Sequence, residues 1–200
     1  MLYNIPYPIG CVIMASGNAR RFGSNKLLIN FNDKPLIQHI LDTTAELFAR
    51  RVVVTRYEKV AQLCEQQRIT YILHDKPYLN DTIRLGMEYL DCAQLLGYAF
   101  CTGDQPLLRR NSVEELCRSF LRSPYSISRL GFGTSPGSPM LFPSDVAEEL
   151  KHLPQDVGGS FVSKKYSERV RIVQVQDKYE LFDIDTVRDL RQCLSQAKNL

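Results

Sequence analysis

No apolar run in this 200-residue chain approaches the roughly 20 residues that a membrane-crossing helix needs. The first ten residues carry neither a basic start nor a cleavage site, so no signal peptide is expected. Neither sign of charge is in large excess. The net charge is only +3, which argues against a dedicated nucleic-acid binder, whose footprint is a basic stripe. The six cysteines (11, 64, 92, 101, 117 and 193) form no C-x-x-C pair and no zinc-like spacing. Most fall in apolar segments, where a free thiol acts as a small hydrophobe, and a reduced, cytoplasmic setting is expected. Internal repeats, low-complexity tracts and long linkers are missing too, so one domain over residues 1–200 is expected, with ample apolar material for its core. Two phosphate-binding signatures are also lacking: G-x-x-x-x-G-K-[ST] and G-x-G-x-x-G.

What is present alternates between two periods. Residues 9–15 (IGCVIMA), 51–55 (RVVVT), 69–73 (ITYIL), 98–102 (YAFCT) and 170–175 (VRIVQV) read as short buried strands, with a further strand at 181–184 (LFDI). Between them, helical spacing of apolar residues predicts helices over 35–49, opened by Pro35, and over 58–67, 82–96 and 112–121, the last capped by Asn111 or Ser112. Residues 123–143 read as irregular. Two short helices follow at 144–151 and 158–166, and a final helix starts at Thr186. Strands alternating with such helices predict a three-layer α/β domain with a mainly parallel sheet, whose strand C-terminal ends form the ligand edge.

Four stretches fall on that edge. MASGNARRFGSNK (14–26) follows the first strand. Gly17 lets the backbone turn and bring amide groups toward an anion, Arg21 offers a planar fork for phosphate oxygens, and Lys26 a mobile charge; a solvated basic loop is the plainer alternative. CTGDQP (101–106) sets Asp104 just past a strand, where a carboxylate can hold Mg²⁺ or simply serve a turn. FDIDTVRDL (182–190) carries Asp183 and Asp185. Capping of the last helix by Asp185 or Thr186 accounts for one residue and leaves the other acid unexplained. GFGTSPGSPMLFP (131–143) is a wall of small residues ahead of an apolar segment. Of the three histidines, His39 falls within a helix and reads as structural, whereas His74 ends a strand on the ligand edge.

In order along the chain, A-x-G-x-x-x-R-F-G-x-x-K, G-D-Q-P-L-L, G-S-P-M-L-F and D-I-D-T-x-x-D-L resemble the molybdenum-cofactor cytidylyltransferase family and its MobA-like nucleotidyltransferase relatives, over about residues 9–192. The resemblance implies a Rossmann-like fold of the nucleotide-diphospho-sugar transferase type, with a mostly parallel mixed sheet. It implies transfer of a nucleoside monophosphate, CMP from CTP in the cytidylyltransferases, to the terminal phosphate of the molybdopterin cofactor. By position, Ala15, Ser16 and Gly17 would contact base and ribose, Arg21 and Lys26 the triphosphate, and Thr82 the base or sugar. Asp104 and Asp185 would hold Mg²⁺, and Gly137, Ser138 and Pro139 would line the acceptor pocket. Cytidylyltransferases read A-A-G and guanylyltransferase relatives A-G-G where this chain has Ala15-Ser16-Gly17, and Ser160 stands where an arginine often follows the glycines.

On that reading Arg21, Lys26 and Asp104 carry the catalysis, by positioning and charge neutralisation without a general base. Three other readings stand beside it. One is a sister enzyme using GTP or a sugar or alcohol phosphate. Another is a non-catalytic accessory protein serving a molybdenum hydroxylase apoenzyme. The last is an interaction domain without nucleotide. Nucleic acid and membrane are not expected partners.

Overall fold

The protein is described by a computed structural model over residues 6–17, 25–91 and 94–197. Strand β1 (Tyr7–Ala15) is followed by a 3-10 turn (Lys26–Leu28) and a minute hairpin, β2 (Asn30–Phe31) and β3 (Lys34–Pro35). Helix α1 (Leu36–Thr43) then leads to β4 (Phe48–Thr55), α2 (Glu58–Gln66), β5 (Tyr71–Leu73), α3 (Leu79–Leu90), β6 (Gly97–Thr102) and α4 (Arg110–Arg122). An antiparallel pair follows, β7 (Ile127–Phe132) and β8 (Ser135–Pro143). The chain continues through α5 (Ala147–Lys151), α6 (Ser160–Lys165), β9 (Val170–Gln174) and α7 (Val187–Ala197).

Seven strands form one sheet in the order β5-β4-β1-β6-β8-β7-β9. Among these only β8 runs against its neighbours, pairing antiparallel with both β6 and β7. β1 is buried on both faces, as its unbroken apolar run requires. Cys11, Ile13 and Ala15 pack with α1, α2 and α4, through residues such as Ile37, Val60 and Leu116. Val12 packs on the other face against Ile83 and Met87 of α3, with Leu150 of α5 and Val162 of α6. The result is the three-layer architecture. Contact between β1 and α3 is close because Gly86 has no side chain: a Cβ there would lie 2.6 Å from Val12 Cγ1. A smaller cluster of Phe31, Leu36, Ile184 and Cys193 fastens α7 beside the β2–β3 hairpin.

Five expectations need correction. The helix predicted over 35–49 ends at Thr43, because Leu47 and Phe48 are drawn into the sheet instead. Tyr7 donates its N–H to Leu47 O at 2.8 Å and Phe48 stands opposite Tyr7. The helix predicted over 82–96 covers Leu79–Leu90, and Leu95 is buried from the connection rather than from a helix face. Helix α4 opens at Arg110 without a side-chain cap from Asn111 or Ser112; the buried Glu180 instead accepts from Arg109 N and from Ser112 Oγ. Residues 123–143, read as irregular, contain the β7–β8 pair, which continues the sheet beyond β6. No strand forms at 181–184. A 3-10 turn (Lys178–Leu181) gives way to an extended segment held by Ile184 N–H on Asp104 O, 3.0 Å, and by Gln105 Nε2 on Leu181 O, 3.3 Å. Among the described residues no helix is long and apolar enough to cross a membrane.

Candidate functional site

Strands β4 and β5 lie on one side of β1 and β6 on the other, so the connections diverge between β1 and β6. A crevice opens outside the strand ends at such a point. Here it is a cavity of about 220 Å³. Met14, Ser16 and Gly17 of the β1 end form one side, Thr102, Gly103 and Asp104 of the β6 end the other, and Lys26, Thr82 and Asp156 line it too, with Leu27 and residues 77–79. The two strand ends are stitched by Gly103 N–H on Met14 O, 3.1 Å.

Ala15, Ser16 and Gly17, at and just after the end of β1, are each tied to the C-terminal ends of β4 and β5 or the residues that follow them. Thr55 Oγ1 donates to Ala15 O at 3.1 Å, and Tyr57 Oη donates to Gly17 O at 2.6 Å. Ser16 Oγ lies 2.8 Å from His74 Nε2 and donates to Val54 O at 3.1 Å. Ala15 itself is buried and is not part of the cavity wall, so of the expected trio Ser16 and Gly17 face it.

Lys26 is the hub. Asn25 Oδ1 accepts from Leu27 N at 3.1 Å and shapes the turn, while Leu27 packs on Gly103, where a Cβ would come within 3.2 Å of its Cδ2. Lys26 Nζ thereby reaches Asp104 Oδ2 and Asp185 Oδ1, each at 2.7 Å. The two carboxylate oxygens, sharing one nitrogen, lie no further apart than twice that distance. Burial alone would lower the Lys26 pKa, but Asp104 and Asp185 outweigh it and hold the amine above its usual range, so it stays charged. Asp185 is free for this contact because Thr186 caps α7: its Oγ1 accepts from Asp189 N at 3.2 Å, and Asp189 Oδ2 accepts from Thr186 N at 2.7 Å. The Asp183 carboxyl is pushed up to about 7 by burial and by the Asp104 and Asp185 charges. Asp183 keeps much of its surface in water, so the like charges are the firmer cause.

Three polar atoms on the cavity walls are buried without a partner among the described residues: Asp104 Oδ1, Thr82 Oγ1 and Thr102 Oγ1. Groups of this kind are rare in proteins and call for a water, an ion or a ligand to supply the missing bond. Asp104 and Asp185 are hard oxygen donors, and an unpartnered Asp104 oxygen beside a second carboxylate suits Mg²⁺. Among the described residues no group of three or more His, Cys, Asp or Glu could hold a metal alone.

Of the residues expected from sequence, Lys26, Asp104 and Asp185 come together, and Ser16, Gly17 and Thr82 line the same cavity as Lys26 and Asp104, which Asp185 adjoins through Lys26. Arg21 lies outside the described residues. Ser138 lines a smaller apolar cavity that shares Met14 and Leu79 with the first; Gly137 and Pro139 do not line either one. Gly137 instead packs on Leu181, and its carbonyl accepts from Arg129 Nε at 3.1 Å and from Arg129 Nη2 at 2.9 Å. His39 Nε2 donates to Phe31 O at 2.8 Å, away from the site. The sequence reading missed Asp156, a loop residue on the cavity wall that itself adopts φ 57° and donates its backbone N–H to Asn80 Oδ1 at 2.9 Å. Its neighbours Gly158 and Gly159 were the available signal. Cys11, Cys64, Cys101, Cys117 and Cys193 are buried free thiols, outside the cavity; Cys92 lies outside the described residues.

The family profile described as "MobA-like NTP transferase domain" matches residues 11–170. Two curated relatives carry the name probable molybdenum cofactor guanylyltransferase. The one from Thermococcus sibiricus is 29% identical over 114 residues, 56% of either chain. That from Aquifex aeolicus is 21% identical over 125 residues, 60% of this chain and 57% of its own. The match thus spans little more than half the length of these relatives. Among solved structures, Rv0371c of Mycobacterium tuberculosis H37Rv superposes with a TM-score of 0.83 at 20% identity, covering 94% of this chain and 98% of its own. A CMP:2-keto-3-deoxy-manno-octonic acid synthetase solved with CTP gives 0.75 at 17% identity, covering 96% and 99%. At such identities the superpositions speak for the fold.

Proposed function

The chain belongs to the MobA-like NTP transferase family, and from that membership and the cavity we propose that it transfers a nucleoside monophosphate from an NTP to the terminal phosphate of a molybdopterin-type acceptor. The observation that carries this reading is the Lys26–Asp104–Asp185 cluster, whose Lys26 and Asp104 line the same cavity as the Ser16–Gly17 turn.

An oxygen of the acceptor phosphate attacks the α-phosphorus in line; a new P–O bond forms, the bond to the β-phosphate bridging oxygen breaks, and pyrophosphate leaves. The attacking oxygen is already anionic, so no side chain need remove a proton. Lys26 has two of its three N–H donors on Asp104 and Asp185, which leaves one for a phosphate oxygen. Arg21 belongs in the same role. The Ser16–Gly17 turn and the open hydroxyl of Thr82 hold the nucleoside end. Asp104 and Asp185 would hold Mg²⁺, which when bound supplies further neutralisation of the triphosphate; a manganese complex is known of Rv0371c. Ser138, on the adjoining apolar cavity, belongs to the acceptor side.

Two bases have support. A side chain at Ser16 leans toward the cytidylyltransferase pattern and CTP. The relatives named guanylyltransferase favour GTP. Incubation with Mg²⁺, molybdopterin cofactor and each of CTP, GTP, ATP and UTP, followed by mass analysis of the acceptor, tests both. A cytidylylated or guanylylated cofactor assigns the base. Nucleotide binding without any nucleotidylated product would favour the accessory protein instead.

A further inference from the structure

His74 sits at the end of β5, far along the chain from the 15–17 turn, yet its ring meets that turn directly. Its two nitrogens have different partners. Lys76 N–H points at Nδ1 at 3.1 Å, so Nδ1 is the acceptor and carries no proton. Nε2 is then the protonated nitrogen of the neutral ring, and at 2.8 Å it donates to Ser16 Oγ. Ser16 passes its own hydroxyl hydrogen to Val54 O at 3.1 Å. The chain Lys76 N–H, His74, Ser16, Val54 O therefore runs in one direction, and every donor and acceptor in it agrees. It fixes the Ser16 side chain against β4 and leaves its oxygen with acceptor capacity only. Ser16 is part of the cavity wall, whereas His74 is not; it lines a shallow groove on the outer side with Arg56, Glu58 and Asp75.

We infer that His74 is a positioning residue for nucleotide binding, acting through Ser16. It rests on the nucleotidyl-transfer reading above. With the His74 bond in place the Ser16–Gly17 turn is held at the width the nucleotide needs; without it Ser16 can rotate, and its hydroxyl hydrogen is free to point into the cavity. The reacting centre at Lys26, Asp104 and Asp185 touches neither residue of the pair through any described hydrogen bond. The effect falls on affinity for NTP and not on the chemical step.

Calorimetric titration of CTP, GTP, ATP and UTP with Mg²⁺ into wild type, Ser16→Ala, His74→Leu, His74→Gln and the Ser16→Ala/His74→Leu double variant tests this. A single hydrogen bond of the usual strength predicts about a tenfold loss for the preferred nucleotide in each of Ser16→Ala and His74→Leu. The double variant should be no weaker than either single one, because both remove the same bond. His74→Gln, whose amide N–H reaches about as far as Nε2, should keep near-wild-type affinity, and turnover at saturating NTP should be unchanged in the two His74 single variants. Unaltered affinity in His74→Leu, losses that multiply in the double variant, or a His74→Gln as weak as His74→Leu would each overturn the inference. Should His74→Leu fail to fold, Ser16→Ala against His74→Gln decides on the same terms. Wild-type protein that binds none of the four nucleotides would overturn the nucleotide reading itself, a result distinct from variants that bind as well as wild type.

Discussion

Ile184 donates its backbone N–H to the Asp104 carbonyl at 3.0 Å. Through that one bond the segment leading into the last helix is pinned to the end of β6, and Asp185, the next residue, arrives beside Lys26. The site is therefore a product of backbone pairing as much as of charge. Like carboxylates would otherwise push the two segments apart.

Removing the cation from this arrangement should cost stability. Lys26→Met leaves Asp104, only 17% exposed at its side chain, next to two further carboxylates without the ammonium that balances them. We expect a loss of about 2–3 kcal/mol in urea unfolding, somewhat under that for breaking a fully buried pair. Asp185→Asn, at a side chain 58% exposed, should cost less than about 1 kcal/mol. Equal losses in the two variants would argue against Lys26 as the hub.

Gly86→Ala tests how α3 places Thr82. The added methyl would stand 2.6 Å and 2.7 Å from the two Val12 methyl groups, in a core with no room to give. Overpacking of this kind costs about 1–3 kcal/mol. Thr82 lies one helical turn earlier, so displacement of α3 should also raise the KM for NTP while leaving kcat nearly intact. An unchanged melting temperature and KM would show that the β1–α3 contact is looser than described.

The two half-buried histidines should contribute a loss of stability as pH drops below 6.5. Burial comes first among the causes that lower the pKa of both His39 and His74 from 6.5. At these two groups the unfolded chain binds more protons than the folded one, so their contribution rises with pH and is lost as the pH falls through the depressed folded values; the raised Asp183 carboxyl contributes with the opposite sign up to about 7. Urea midpoints at several pH values between 5 and 7.5 should therefore rise less with pH, or fall more, in His39→Gln/His74→Gln than in wild type. Identical slopes would assign the acid sensitivity elsewhere.

The sheet and its ligand edge were readable because β1, β4 and β6 are plain apolar runs and the helices between them keep a clear period. The β7–β8 pair was not, because its glycines, serines and prolines hide a strand that β6 supports by antiparallel pairing. Ambiguity at Leu47 and Phe48 had another source: their spacing suits a helix, and only pairing with Tyr7 decides for the strand. In the site, the sequence offers both Asp185 and Thr186 as the cap of the last helix; Thr186 takes it, which leaves Asp185 to Lys26. The direct salt bridges from Lys26 to both acids, the Asp156 contribution and the His74–Ser16 bond have no local signature. They arise where segments distant in sequence meet at strand ends.

The central claim is that Lys26, Asp104 and Asp185 form the reacting centre. It is tested most directly by pyrophosphate release from wild type and Asp104→Asn, with Mg²⁺, the preferred NTP and molybdopterin cofactor. Loss of one electrostatic stabiliser of about 3–4 kcal/mol predicts a roughly 10²–10³-fold fall in kcat for Asp104→Asn, with the protein still folded and little change in the KM for the acceptor. Turnover within a few-fold of wild type in that variant would contradict the account and move the chemistry away from this cluster.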